Sequence, residues 1–122
     1  MASITVFFVI NATLLLLHEI ESSFEKEWEI LKLPGKITGF LLLHIPIILL
    51  LFYGALEIDK QTPMGFIIGA ITGIGGIIPF VVHKVVKKVK DRFNHVISDV
   101  IIYLNIITGI ILAVLSLGQL IK

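Results

Sequence analysis

The chain has 122 residues, 57% hydrophobic and only 16% charged, with a mean hydropathy of +1.03. A soluble domain carries roughly 45–50% apolar and about 25% charged residues, so that class is excluded. A formal net charge of +1 excludes a nucleic-acid footprint, and the absence of cysteine excludes disulfides and thiolate metal sites.

The charges are bunched between four long apolar runs, which leaves one membrane domain over 1–122 and no room for a separate soluble one. The first run covers residues 4–20. No basic residue precedes it, and His18, Glu19 and Glu21 stand where a small-residue cleavage site belongs, so it reads as a retained helix. Residues 22–33 are too polar to cross. Phe24, Trp28 and Leu31 fall there at i, i+4 and i+7, which predicts an amphipathic helix in the interface with Trp28 at headgroup depth. Pro34 and Gly35 then turn the chain back.

The second run spans residues 37–56, the third 64–82 and the fourth 96–117. Each is close to the ~20 residues that cross ~30 Å of hydrocarbon at 1.5 Å per residue. Their Ile and Val would favour strands in water. In lipid the backbone must satisfy itself, so these runs are helices. The expected fold is an all-α integral membrane protein, an up-down bundle of four transmembrane helices with an interfacial helix between the first two.

In the third run Gly65, Gly69 and Gly73 recur at four-residue spacing, followed by Gly75 and Gly76. Such a face lets another backbone approach closely. Gly109 and Ala113 in the fourth run offer a matching surface, in the same chain or on a second copy. Beyond membrane lipid, the expected partner is therefore a second copy or another membrane helix docked on Gly65, Gly69 and Gly73. Pro79 should kink the third helix. Asn11 and Asn105 are placed to hydrogen-bond across helices.

Four crossings put both termini on one face. Lys26, Lys32, Lys36, Lys84, Lys87, Lys88, Lys90 and Arg92 lie on the other, which leaves only Lys60 and Lys122 on the terminal face. The positive-inside bias places the basic loops 21–36 and 84–94 in the cytoplasm and both termini outside the cell membrane.

All four histidines, His18, His44, His83 and His95, fall near helix ends on the loop face. His18 and Glu21 share a helix face at i, i+3, and His95 and Asp99 share one at i, i+4. Histidine and carboxylate pairs projecting into a four-helix core build di-iron and related sites, and the same donors suit zinc. The candidate metal ligands are His18, Glu21, His44, His83, His95 and Asp99. Six exceed one tetrahedral zinc, so the set implies two ions, or one ion with supporting residues. It suits a metal-dependent hydrolase or oxidase acting on a lipid-like substrate. Two other readings fit the same residues. One is a non-catalytic helper subunit packed through its glycine face, and the other is proton or ion transfer along His and carboxylate side chains. The pattern His-Glu-x-x-His is absent, because Ser22 stands four residues after His18.

The stretch Leu17-His18-Glu19-Ile20-Glu21, followed by Glu27-Trp28 and by Leu43-His44-Ile45-Pro46, resembles the HXXEE-domain family. These are short bacterial and archaeal membrane proteins of unknown function, and the resemblance lies mainly in residues 14–51. His18 and Glu21 match the first four positions of the His-x-x-Glu-Glu signature. Ser22 stands where the second Glu belongs, with Glu19 and Glu25 as the nearby carboxylates. The resemblance implies importance for His18, Glu21 and His44 and names no reaction.

The lysine distribution is testable by labelling intact cells. Cysteines introduced at Lys60 and Lys122 should react with an impermeant maleimide from outside, and one at Lys88 should not. Labelling at 88 would reverse the orientation.

Overall fold

Because lipid offers no partner to a peptide group, each apolar run has to close its hydrogen bonds within itself. The computed structural model describes residues 2–86 and 95–122; Lys87, Lys88, Lys90 and Arg92 of the basic run lie outside the described residues. It contains α1 (Ser3–Phe24), α2 (Glu27–Ile30), α3 (Lys36–Asp59), α4 (Pro63–Phe80) and α5 (Val96–Leu120), with a π-helical turn over Val81–Val86 continuing α4. There is no strand among the described residues. Four helices of 22–25 residues, α1, α3, α4 with its extension to Val85, and α5, are long and apolar enough to cross a membrane. At 1.5 Å per residue they measure about 33–38 Å.

The helices outrun the apolar stretches that predict them. α1 continues past Ile20 to Phe24, and α3 past Leu56 to Asp59. The polar end residues still complete backbone bonds of the preceding turn, so the helix does not stop where hydropathy does. Residues 22–33 are not one amphipathic helix. Lys26 and Lys32 adopt left-handed backbone, φ 53° and 56°, and between them α2 is a single turn. A left-handed residue other than glycine costs roughly 1–2 kcal/mol, so these corners are held by what they position. Trp28 is turned inward to 7% exposure against Phe40, with ring centroids 5.6 Å apart, whereas Phe24 is 81% exposed.

The contacts fix an up-down-up-down bundle. Gly69 faces Ser116, Gly73 faces Gly109 and Ala113, and Gly76 faces Asn105, so α4 and α5 run antiparallel at backbone contact. A Cβ at Gly73 would lie 2.6 Å from the Gly109 oxygen and 2.7 Å from the Ala113 nitrogen. A Cβ at Gly65 would lie 2.5 Å from the backbone at Glu57 and Ile58, where α3 turns into α4. The glycine face is thus covered by α3 and α5 of the same chain.

Near mid-bundle Asn11 on α1 donates from Nδ2 to the Thr72 carbonyl (2.9 Å) and accepts from Thr108 Oγ1 (3.0 Å), tying α1 to α4 and α5. Interhelical bonds of this kind contribute about 0.6–2 kcal/mol each. Asn105 is fully buried beside Gly76, but its side-chain amide makes no hydrogen bond among the described residues. The apolar core, built from Phe8, Leu51, Ile58, Phe66, Ile68 and Leu112 among others, fills the half nearer the termini. The opposite half holds the polar side chains.

Gly73→Ala should force α4 and α5 apart, because the obstacle is backbone. The expected loss is about 1–3 kcal/mol, read as a lower melting temperature in detergent. Gly118→Ala, whose Cβ would meet nothing within 4 Å, should be neutral or slightly stabilising. Equal stability of the two variants would rule out the backbone contact.

Candidate metal centre

Beyond Pro79 the helix lacks one amide donor, and the ladder widens into the π-helical turn Val81–Val86. The kink expected at Pro79 takes this form, and it carries His83 into the bundle, where its side chain is fully buried. His18, near the end of α1, is buried beside it, with ring centroids 5.0 Å apart at 72°. α1 and α4 run parallel, which is why two histidines late in their helices meet.

Glu27 closes the group. The left-handed backbone at Lys26 swings the first residue of α2 under the bundle. Glu27 Oε1 lies 3.0 Å from His83 Nε2, and Oε2 lies 3.9 Å from His18 Nε2. One donor atom from each of the three residues falls within 4.8 Å of the other two, and all three residues are buried. Bonds of ~2.0–2.1 Å in a tetrahedral site put neighbouring ligand atoms about 3.3 Å apart, so these spacings bracket what a zinc ion takes. Burial alone would push the Glu27 carboxyl up. Hydrogen bonds from His83 and Ser22 and the charges of His18 and His83 outweigh it, and the carboxyl is held below its usual range. The group therefore presents an ionised carboxylate and two imidazoles in a protected position.

His44 stands on α3 and joins a different partner. Its Nδ1–H donates to the Phe40 carbonyl at 2.6 Å, while Nε2 faces Glu19 Oε2 at 2.5 Å. A carbonyl can only accept, so the Nδ1 proton is fixed, and the Nε2–Glu19 contact needs one further proton between the two groups. Phe40 stacks on the imidazole at 4.1 Å. Glu19, which was not among the candidate ligands, is the partner of His44.

The other candidate ligands lie apart from this group. Glu21 accepts a hydrogen bond from Ser98 on α5, Asp99 pairs with Lys84, and His95 is exposed at the N-terminal cap of α5. Lys84 also lies over the Tyr103 ring, 5.6 Å from its centroid. The structure thus brings His18 and His83 together and adds Glu27, which was not among the sequence candidates. A signal for Glu27 exists. It is three residues after Phe24 and four before Leu31, so it sits on the apolar side of its own wheel, where a carboxylate needs partners.

Beside the group lies a cavity of about 340 Å3 between α1, α3 and α4. His18, Glu19, Glu27 and His44 line its end away from the termini, and its remaining walls are apolar except for Thr72.

No curated protein and no solved structure matches the chain. A family model described as DUF6713, a family of unknown function, matches residues 4–119, which takes in all four long helices and every residue of the buried group. The chain belongs to the DUF6713 family.

Proposed function

We propose that the protein binds a divalent transition metal, zinc or iron, through His18, Glu27 and His83, and that this centre acts on a lipid-like substrate in the adjoining cavity. The observation that carries the reading is the convergence of three buried donor side chains from three separate elements within 4.8 Å. Two imidazoles and one carboxylate are a donor set used by catalytic zinc and by non-haem iron, with coordination positions left for water or substrate. When bound, such an ion supplies a polarised water or an oxygen-activating centre. Glu27 offsets part of its charge. Ser22, whose hydroxyl donates to Glu27, helps to orient that carboxylate.

His44 and Glu19 belong to the cavity wall in this reading, Glu21 and Asp99 tie the bundle end through Ser98 and Lys84, and His95 stays outside the centre. In this reading the centre belongs to the cytoplasmic half of the membrane, which the lysine distribution supports. His18 is the part of the HXXEE-like motif that joins the centre. A second reading, proton transfer without an ion, is favoured by one observation: in the pairs Glu19–His44 and Glu27–His83 both carboxylates line the same end of one cavity.

Elemental analysis of protein purified after growth with zinc and iron separates the two. About one ion per chain is expected. His83→Ala and Glu27→Ala should each weaken retention at least about 100-fold, since loss of mere supporting residues already costs 10–100-fold. His95→Ala should retain the ion. No stoichiometric metal, or equal retention in His83→Ala and His95→Ala, would remove the metal centre and leave proton transfer.

A further inference from the structure

The cavity has a shape and a polarity that select an occupant. Near the termini α3 and α4 are in contact at two places, Gly65 on the Glu57–Ile58 backbone and Gly54 on Ile68. Towards the other end α3 leaves α4, and two facing rows remain. Leu43, Ile47 and Leu50 on α3 are spaced i, i+4 and i+7, as are Ile71, Gly75 and Ile78 on α4. The five large side chains in these rows are exposed yet line the cavity, so the space opens sideways between α3 and α4 towards the bilayer. On α3 its lining runs from Phe40 to Leu51, about 16 Å at 1.5 Å per residue. A cavity of about 340 Å3 with this length suits one extended alkyl chain.

The head of such a chain would meet Glu19 and His44, whose side chains are 28% and 12% exposed, with Glu27 nearby. With the one proton they share, Glu19 and His44 carry no net charge, so a carboxylate or phosphate head would leave water with nothing there to compensate it. A metal ion beside them would repel an ammonium head. A hydroxyl suits either condition, because it can donate to Glu19 and accept from a neighbour.

We propose that the cavity binds a single-chain amphiphile with an uncharged hydroxyl head, which enters laterally between α3 and α4 and sets its head against the Glu19–His44 pair. As a substrate class this rests on the metal-centre reading. As a binding site it does not, and the test is run on both metal-free and metal-loaded protein.

Trp28 is the sole tryptophan, and it packs on Phe40, which lines the cavity. Its fluorescence therefore reports occupancy by a brominated chain. The probe is 2-bromoundecan-1-ol, whose bromine sits next to the hydroxyl head and therefore beside Phe40 and Trp28 when the head meets Glu19–His44, added to protein in phosphatidylcholine nanodiscs. Saturable quenching is expected with and without metal. Gly75→Ala should preserve it, since that Cβ would meet only Leu15 Cδ1 at 3.7 Å, an ordinary contact. Gly75→Leu should fill the cavity and abolish saturation, and Ile47→Phe at the mouth provides a second plug should the first fail to fold. In metal-free protein, 2-bromoundecanoic acid should bind at least tenfold more weakly than the alcohol. Linear quenching identical in wild type and both plugs would mean bilayer partition only and would overturn the proposal, as would acid binding equal to that of the alcohol. Saturable alcohol binding by protein that takes up no metal keeps the cavity site and discards the centre. Metal uptake without saturable quenching does the reverse.

Discussion

The backbone contact between α4 and α5 governs where everything else can go. Gly73 and Gly109 bring two main chains so close that neither helix can rotate or tilt without a clash, and Gly69 and Gly76 extend the seam in both directions. α4 is thereby committed to α5 along most of its length. α3 meets α4 closely near their connection, where Gly54 and Gly65 permit it, and further along both helices line the cavity. The cavity follows from how glycines are distributed over α3 and α4, since interiors otherwise close up to crystal-like density. α1 lies across α4 and α5, fastened by Asn11, and supplies the back wall of the space that α3 leaves.

At the far end the organising group is the Glu27 carboxylate. A buried carboxylate is costly unless hydrogen bonds and opposite charge compensate it. Here His83, Ser22 and His18 do so well enough to keep it ionised in spite of burial. The two left-handed lysines that bracket α2 are the local cost of bringing it there. The same turn buries Trp28, so the segment seals the bundle end with one apolar and one anionic side chain in consecutive positions. The acid and its two imidazoles also link the packing of this end to the chemistry proposed for it.

The four helices were legible because hydropathy, length and backbone satisfaction all demand the same thing of those residues. The meeting of His18 with His83 also follows from counting, since both come late in parallel helices. The choice of carboxylate was not legible. His18 and Glu21 share a face by spacing, but spacing does not say which neighbour that face meets. The arc from His18 to Glu21 spans the boundary between the cavity and α5, so His18 turns to α4 while Glu21 turns to Ser98. Glu27 was hidden because residues 22–33 read as one helix. Its two corners are made by lysines, which carry none of the glycine or asparagine signature of left-handed backbone. The pairing of Glu19 with His44 was not legible, because spacing along the chain does not say that α3 brings His44 alongside α1. Pro79 marked its distortion correctly in place, though nothing in the residues said that the ladder would widen rather than simply bend.

The sideways mouth between α3 and α4 changes the unit in which any occupant must be counted. A ligand that arrives through water is described by its molar concentration, and its encounter rate by diffusion in three dimensions. One that enters between Ile47 and Ile78 is already dissolved in the leaflet, and its supply is set by its mole fraction among the lipids and by two-dimensional diffusion. Adding inert lipid at fixed total ligand would then lower occupancy although the bulk concentration is unchanged. Affinities for such a chain would be comparable between preparations only when expressed per lipid.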